Sequence, residues 1–421
     1  MILPKYENTY STSQSTNKMF LNQLEKIVDS TTQFLNKHQQ VTILGVHGWL
    51  PEIAQGIWPI PSQILVDKME LAVRRYLNLG KDEGNITGIR LTGHGIVEDR
   101  AEMFLQRIQN DRSYVDKVSN ANVIFIVGHS QGVPTSVLLL SRLIETGLVN
   151  PKKQHVALLL LAGISEGPTS RFEIGDTIGK IVGDKATSEL FDFQISTNAI
   201  AKKYRAATQT ALKLGVKILY FASGNDEVVP LHSALFSSVK HPSILRGIYV
   251  ADEVYQDKRF IVDLVRLLIR IKNHGYSDQG LLNHISDALI GYLKDGGHNH
   301  ISTEDETYMS AVKHLYESKT YEGVESTFAE FDYSKPLHLG RSYIPWGMRG
   351  LLSDEDLFKS EKIGPDVISL RKSFMTWDPR VGDIVAAELK LLLIPFGDTN
   401  EDQYIYTHHI DTVSDNVHAK L

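Results

Sequence analysis

Asn122-Val123-Ile124-Phe125-Ile126-Val127-Gly128-His129-Ser130-Gln131-Gly132-Val133-Pro134 joins a β-branched apolar run to a G-x-S-x-G turn and then to a strongly apolar stretch, Val133 to Thr146. The first run reads as a buried strand. The last reads as a helix, with Pro134 in its first turn, where a missing N–H costs little, and Gly147 as its stop. A sharp bend between them forces the serine into strained backbone angles. Gly128 and Gly132 lack side chains so that strand and helix can approach, and Ser130 is pushed out at the helix N-terminus, whose dipole favours developing negative charge. Ser130 is therefore the candidate nucleophile. The alternative is a Gly/Ser turn of a nucleotide-binding α/β protein, which no G-x-G-x-x-G or G-K-[ST] run supports.

Working outward, Val41 to Val46 is a buried-strand run that opens into His47-Gly48-Trp49, and Pro61 to Asn78 reads as the helix after it. Ile86 to Leu91 predicts the next strand, opening into Thr92-Gly93-His94-Gly95, with a helix over Glu98 to Gln109. His155 to Leu161 and Val216 to Ala222 are two further buried strands. Strands alternating with helices predict an α/β fold built on a mostly parallel, doubly wound sheet. Residues 1–18 read as a polar tail and 19–320 as the main domain, with helical spacing from Lys18 to His38 at its start. The stretches 164–212 and 240–290 read as insertions able to form a helical cap or lid. Residues 321–421 read as an extension packed on the same domain, with a helix from Ile384 to Leu393 and no assigned chemistry.

The 421 residues are 42% hydrophobic and 22% charged, which argues against wholesale disorder. A net charge of −6 predicts no polyanion grip, so nucleic acid is not an expected partner. The chain has no cysteine, which excludes disulfides, Cys-ligated zinc and a thiol nucleophile. The polar residues after Met1-Ile2-Leu3-Pro4 do not form a secretory h-region. The longest apolar run, Val156 to Ile164, falls far short of the roughly 20 residues needed to cross a bilayer. A cytoplasmic protein is the expectation.

A serine nucleophile needs N–H donors for an oxyanion, a base and an acid that orients the base. The Gln131 backbone is expected to supply one donor and Trp49, in the loop after the early strand, the second; the alternative is that Trp49 merely packs. His47 and His129 flank these positions and are candidates to contact substrate. In Gly224-Asn225-Asp226-Glu227-Val228-Val229-Pro230, Asp226 is the first choice for the acid and Glu227 the second; the alternative is a turn entering a helix. The base should come last in the chain. Gly296-Gly297-His298-Asn299-His300 places an imidazole on a flexible loop before a helix over Glu304 to Tyr316, with His298 preferred to His300. A metal reading of His298-x-His300 lacks an identifiable third ligand, and no cofactor is expected.

These motifs resemble the α/β-hydrolase superfamily, lipase and esterase branch. More narrowly, the chain resembles a fungal lipase-like family that includes the medium-adaptin-interacting ligand protein. The residues concerned are Val46-His47-Gly48-Trp49-Leu50-Pro51, Gly93-x-Gly95-Ile96 with Arg100, Gly128-His129-Ser130-Gln131-Gly132, Asn225-Asp226, and Gly297-His298 followed by Tyr308 and Ala311-Val312. The resemblance implies an α/β-hydrolase fold and a lipase-type domain, in some members linked to membrane traffic. The expected substrate is a small-molecule acyl or lipid ester, with peripheral membrane association as a further expectation. A catalytically silent fold used as a binding or membrane-traffic module, and a thioesterase or acyltransferase using the same residues, stand as alternatives.

Overall fold

The computed structural model describes residues 18–20, 39–48, 61–169, 185–251, 259–290, 297–334, 340–377, 387 and 390–392. Its strands are β1 (Lys18–Phe20), β2 (Gln40–Val46), β3 (Asn85–Leu91), β4 (Val123–His129), β5 (His155–Leu161), β6 (Lys217–Ser223), β7 (Val239–Lys240), β8 (Ile244–Ala251) and β9 (Thr327–Phe328). The helices are α1 (Ser62–Leu77), α2 (Val97–Asn110), α3 (Arg112–Ser119), α4 (Gly132–Glu145), α5 (Lys185–Asp192), α6 (Ala199–Lys213) and α7 (Leu231–Ala234). They continue with α8 (Arg259–Asn273), α9 (Leu281–Leu289), α10 (Gly297–His300), α11 (Asp305–Glu317), α12 (Gly340–Leu352), α13 (Glu355–Lys359) and α14 (Gly364–Met375).

Six strands run parallel in the order β3-β2-β4-β5-β6-β8, and β1 adds an antiparallel edge on β8. Successive strand side chains point to opposite faces, and the apolar runs divide accordingly. Val123, Phe125 and Val127 of β4, with Ala157, Leu159 and Leu161 of β5, join the core beneath α1 and α11. Ile124 and Ile126, with Val156, Leu158 and Leu160, join the core beneath α2, α4 and α6. Both faces are covered, which is why the strands read as continuous apolar runs rather than alternating ones. A third cluster gathers α8, α9, α12, α13 and α14 beside β8.

The strands and helices expected around residues 41–161 and 216–222, and the helix after His300, form within one or two residues of their expected bounds. Other expectations are corrected. Lys18–Phe20, where helical spacing was expected to begin, forms a strand; it pairs with Tyr249–Ala251 and satisfies backbone groups that an open edge would leave free. The stretch 164–212 includes α6, which packs on α4 as the crossover between β5 and β6. The stretch 240–290 contains a strand of the sheet, β8. Arg246 interrupts its apolar pattern, yet it is buried, its guanidinium donating to the carbonyls of Leu235, Phe236 and Val239. Most of the helix expected over 384–393 lies outside the described residues. No helix among the described residues is long and apolar enough to cross a membrane.

Helix α11 is fastened to the sheet by buried polar groups. Lys217 at the start of β6 donates to the carbonyl of Leu315 at 2.8 Å and to that of Ser318, and burial pulls its ammonium down to about 7. The His314 ring lies between the Ser243 carbonyl and Ser318 Oγ, each at 3.1 Å. Burial, and then the charge of Lys217, push His314 down to about 3. Its folded pKa is thus below the unfolded value near 6.5, so between these limits the unfolded chain binds the proton the folded one refuses, and stability rises with pH. Acidification from pH 7.5 to 5 should cost about 2 kcal/mol at this ring alone. In thermal melts across that range, His314→Gln should lose less of its Tm than wild type; an equal loss would contradict the assignment.

Candidate active site

Parallel strands deliver their C-terminal ends to one edge of the sheet, and there the turns after β2, β3, β4 and β6 converge. At the turn from β4 to α4, Ser130 adopts φ 57°, the left-handed region that side chains rarely occupy. Its N–H donates to the Leu161 carbonyl at 3.0 Å, and its own carbonyl accepts from Val133 at 3.0 Å. The glycines on either side are sterically required. A Cβ at Gly128 would lie 2.6 Å from Ser136 Oγ and 2.7 Å from the Gly132 carbonyl oxygen. A Cβ at Gly132 would run into the Val46 carbonyl and stand 2.6 Å from that of His47. The turn after β2 therefore lies directly on the serine turn, and a Cβ at Gly48 would come within 2.9 Å of Ser130 Cβ.

Asp226 follows β6 and is buried. Its Oδ1 accepts from the N–H groups of Val228 (2.9 Å) and Val229 (2.8 Å), while Oδ2 accepts from His298 Nδ1 at 2.7 Å. Two backbone donors fix the carboxylate, and the carboxylate fixes the imidazole tautomer: with its proton on Nδ1, the ring keeps Nε2 as a base. His298 sits in the short helix α10. Its carbonyl accepts from His129 Nε2 at 3.1 Å, and the two rings are 4.8 Å apart. The Gly297 carbonyl accepts from Ser223 Oγ at 3.2 Å, and Gly297 itself has φ 60°. The loop is thus anchored through its backbone to both the serine turn and β6. No hydrogen bond joins Ser130 Oγ to the His298 ring among the described residues, a contact that unliganded sites often hold open.

His300 points elsewhere. Its Nε2 lies 3.0 Å from the buried Glu304, and its ring is 5.4 Å from that of Tyr249. Of the two acid candidates, Asp226 rather than Glu227 meets the imidazole. His47 and His129 are buried, each with Nε2 engaged by the protein: His47 accepts from Gly93 N–H at 3.1 Å, and His129 binds the His298 carbonyl. Burial, and then the Arg100 charge, lower His47 to about 4; burial, and then the His298 ring, lower His129 to about 3. Both are neutral at pH 7. Gln131 is buried at the head of α4, where the first N–H groups of a helix have no intrahelical acceptor. Trp49 lies outside the described residues. No cluster of three or more His, Asp or Glu suited to a metal ion occurs among the described residues.

Sequence reasoning gave no role to the Arg100 side chain. It is fully buried, donating to Gln131 Oε1 and to the His47 carbonyl, each at 2.6 Å. A signal existed: Val97, Ala101, Phe104 and Ile108 form the buried stripe of α2, and position 100 falls on it.

Residues 3–355 match the YMC0/YMC35 alpha/beta hydrolase domain. The chain belongs to this family. Its fold is that of the α/β-hydrolases, with a parallel six-stranded sheet flanked by helices. No curated protein matches the chain. Among solved structures it is similar to phospholipase PlaB from Legionella pneumophila, at 17% identity and TM-score 0.33 over 47% of this chain and 45% of that one. It is also similar to the metagenome-derived lipolytic enzymes LipS and LipT, at 13% identity and TM-score 0.27 over 55% of this chain and 94% of that one. A third similarity is to YbtT, a type II thioesterase of the yersiniabactin pathway, at 13% identity and TM-score 0.24 over 62% of this chain and 100% of that one.

In this family member the tight crossing predicts a steric cost. Gly132→Ala forces a methyl group against two backbone carbonyls that have no rotamer to yield, so it should lower stability by about 1–3 kcal/mol in denaturant titrations. A change within experimental error would show that the crossing is looser than described.

Proposed function

We propose that the chain is a serine hydrolase that cleaves carboxylic esters of acyl or lipid type. The observation that carries this reading is the 2.7 Å pairing of His298 Nδ1 with a backbone-fixed Asp226, on a loop tied to the residue preceding a left-handed Ser130. His298 Nε2 takes the proton of Ser130 Oγ as that oxygen attacks the ester carbonyl. The negative oxygen that forms is met by the Gln131 N–H at the head of α4 and by the N–H of Trp49. His298 then hands its proton to the departing alcohol, and water, deprotonated by the same ring, releases the acid and frees Ser130. Asp226 holds the imidazolium throughout.

The substrate class draws on the resemblance to lipase-like families, which favours an acyl or lipid ester. Lipolytic activity would be compatible with peripheral contact with a membrane surface. Acyl thioesters would meet the same groups, so both ester and thioester series belong in the assay.

A fluorophosphonate should label wild type, with the adduct on Ser130 by peptide mass, and should not label Ser130→Ala. Asp226→Asn and His298→Ala should reduce ester turnover by about 10⁴-fold while both proteins remain folded. Absence of labelling in folded wild-type protein would overturn the reading.

A further inference from the structure

We infer that Arg100 is a positioning residue that sets the placement of the Gln131 N–H by fastening the end of β2 at His47 to the turn after β4. The inference rests on the serine-hydrolase reading above and extends it to a residue that touches no substrate. Nη1 of Arg100 donates to Gln131 Oε1 and Nη2 to the His47 carbonyl, each at 2.6 Å. Gln131 Nε2 passes the tie onward to the Gly95 carbonyl at 3.1 Å, and Gly93 N–H donates to His47 Nε2 at 3.1 Å. One guanidinium thereby gathers the turns that end β2, β3 and β4. One of these turns carries the Gln131 N–H proposed to receive the oxyanion, and the bridge fixes that turn against the end of β2. A planar fork can hold two acceptors at a set spacing, whereas an ammonium on a flexible stem cannot.

The chemistry of the pairing separates this role from simple packing. Both acceptors are neutral oxygens. The carboxylate of Glu189, whose charge acts on Arg100, engages the Val97 N–H instead, at 2.6 Å. Burial pulls the guanidinium down only to about 10, so it is charged at neutral pH. A buried cation without a hydrogen-bonded anion is a costly way to fill space. The cost is intelligible where the turn it ties must hold one shape for reaction.

The test is the second-order rate of fluorophosphonate labelling of Ser130 in the full chain between pH 5 and 9, for wild type, Arg100→Lys, Gln131→Ala and the double variant, with Tm measured alongside. Gln131→Ala keeps its backbone N–H, so it removes the bridge without removing the donor. Each single variant should lower the plateau rate roughly 10- to 100-fold with the pH midpoint unmoved, and the double variant should lose little beyond the worse single one. If Arg100→Lys does not fold, the Gln131→Ala plateau decides. Labelled wild type with folded variants labelled at the same rate, or slowed only through a shifted midpoint, overturns the role of Arg100 alone. Folded wild type that is never labelled removes the hydrolase reading and this inference together.

Discussion

Where β4 ends, three pieces of backbone pass so close that no side chain fits between them. Gly128 faces Ser136 and the Gly132 carbonyl, while Gly132 faces the carbonyls that close β2. At this crossing Ser130 takes φ 57°. The crossing also brings the turn after β2 alongside the head of α4. The remaining site geometry follows from that contact: His129 is carried to within reach of the His298 carbonyl, and Gln131 to within reach of Arg100. A bend stored in one residue thus organises partners drawn from the turn after β2 to the loop that carries His298.

The surrounding architecture supplies rigidity at that edge. Strands buried on both faces place their C-terminal ends in a row, with helices packed against either face. The polar groups drawn into the interior are satisfied mainly by backbone oxygens and N–H groups. Arg246 binds three carbonyls, Lys217 two, and Asp226 accepts two N–H groups. Such pairings fix the chain path itself rather than one side chain against another, and they suit turns that must hold their shape without being covered by secondary structure.

Much of this was legible in the sequence because the governing signals are local. β-branched runs marked β2 and β4, a leucine run marked β5, glycine spacing marked the serine turn, and the turn residues after β6 and the Gly296-Gly297 pair offered Asp226 and His298 as candidates. Two features escaped where a charged residue sits in the core. Arg246 breaks the apolar run of β8, so that strand read as part of an insertion, and Arg100 occupies the buried stripe of α2 where a helix would ordinarily carry an aliphatic residue. The protein contacts of His47 and His129 escaped for a related reason. Sequence tells which residues flank the serine turn, but where their rings lie depends on contacts formed across 46 and 169 positions.

The anchoring of His298 through its own carbonyl and that of Gly297 has a consequence for how this scaffold tolerates change. Both anchors are made by residues of the sheet edge, His129 and Ser223, and neither draws on the helices α8 and α9 that intervene between β8 and the loop. The imidazole is delivered by its immediate neighbours rather than by the long excursion that precedes it. That excursion is accordingly not what positions the ring: the two hydrogen bonds that hold the His298 loop would persist even where the helices before it differ in length or sequence.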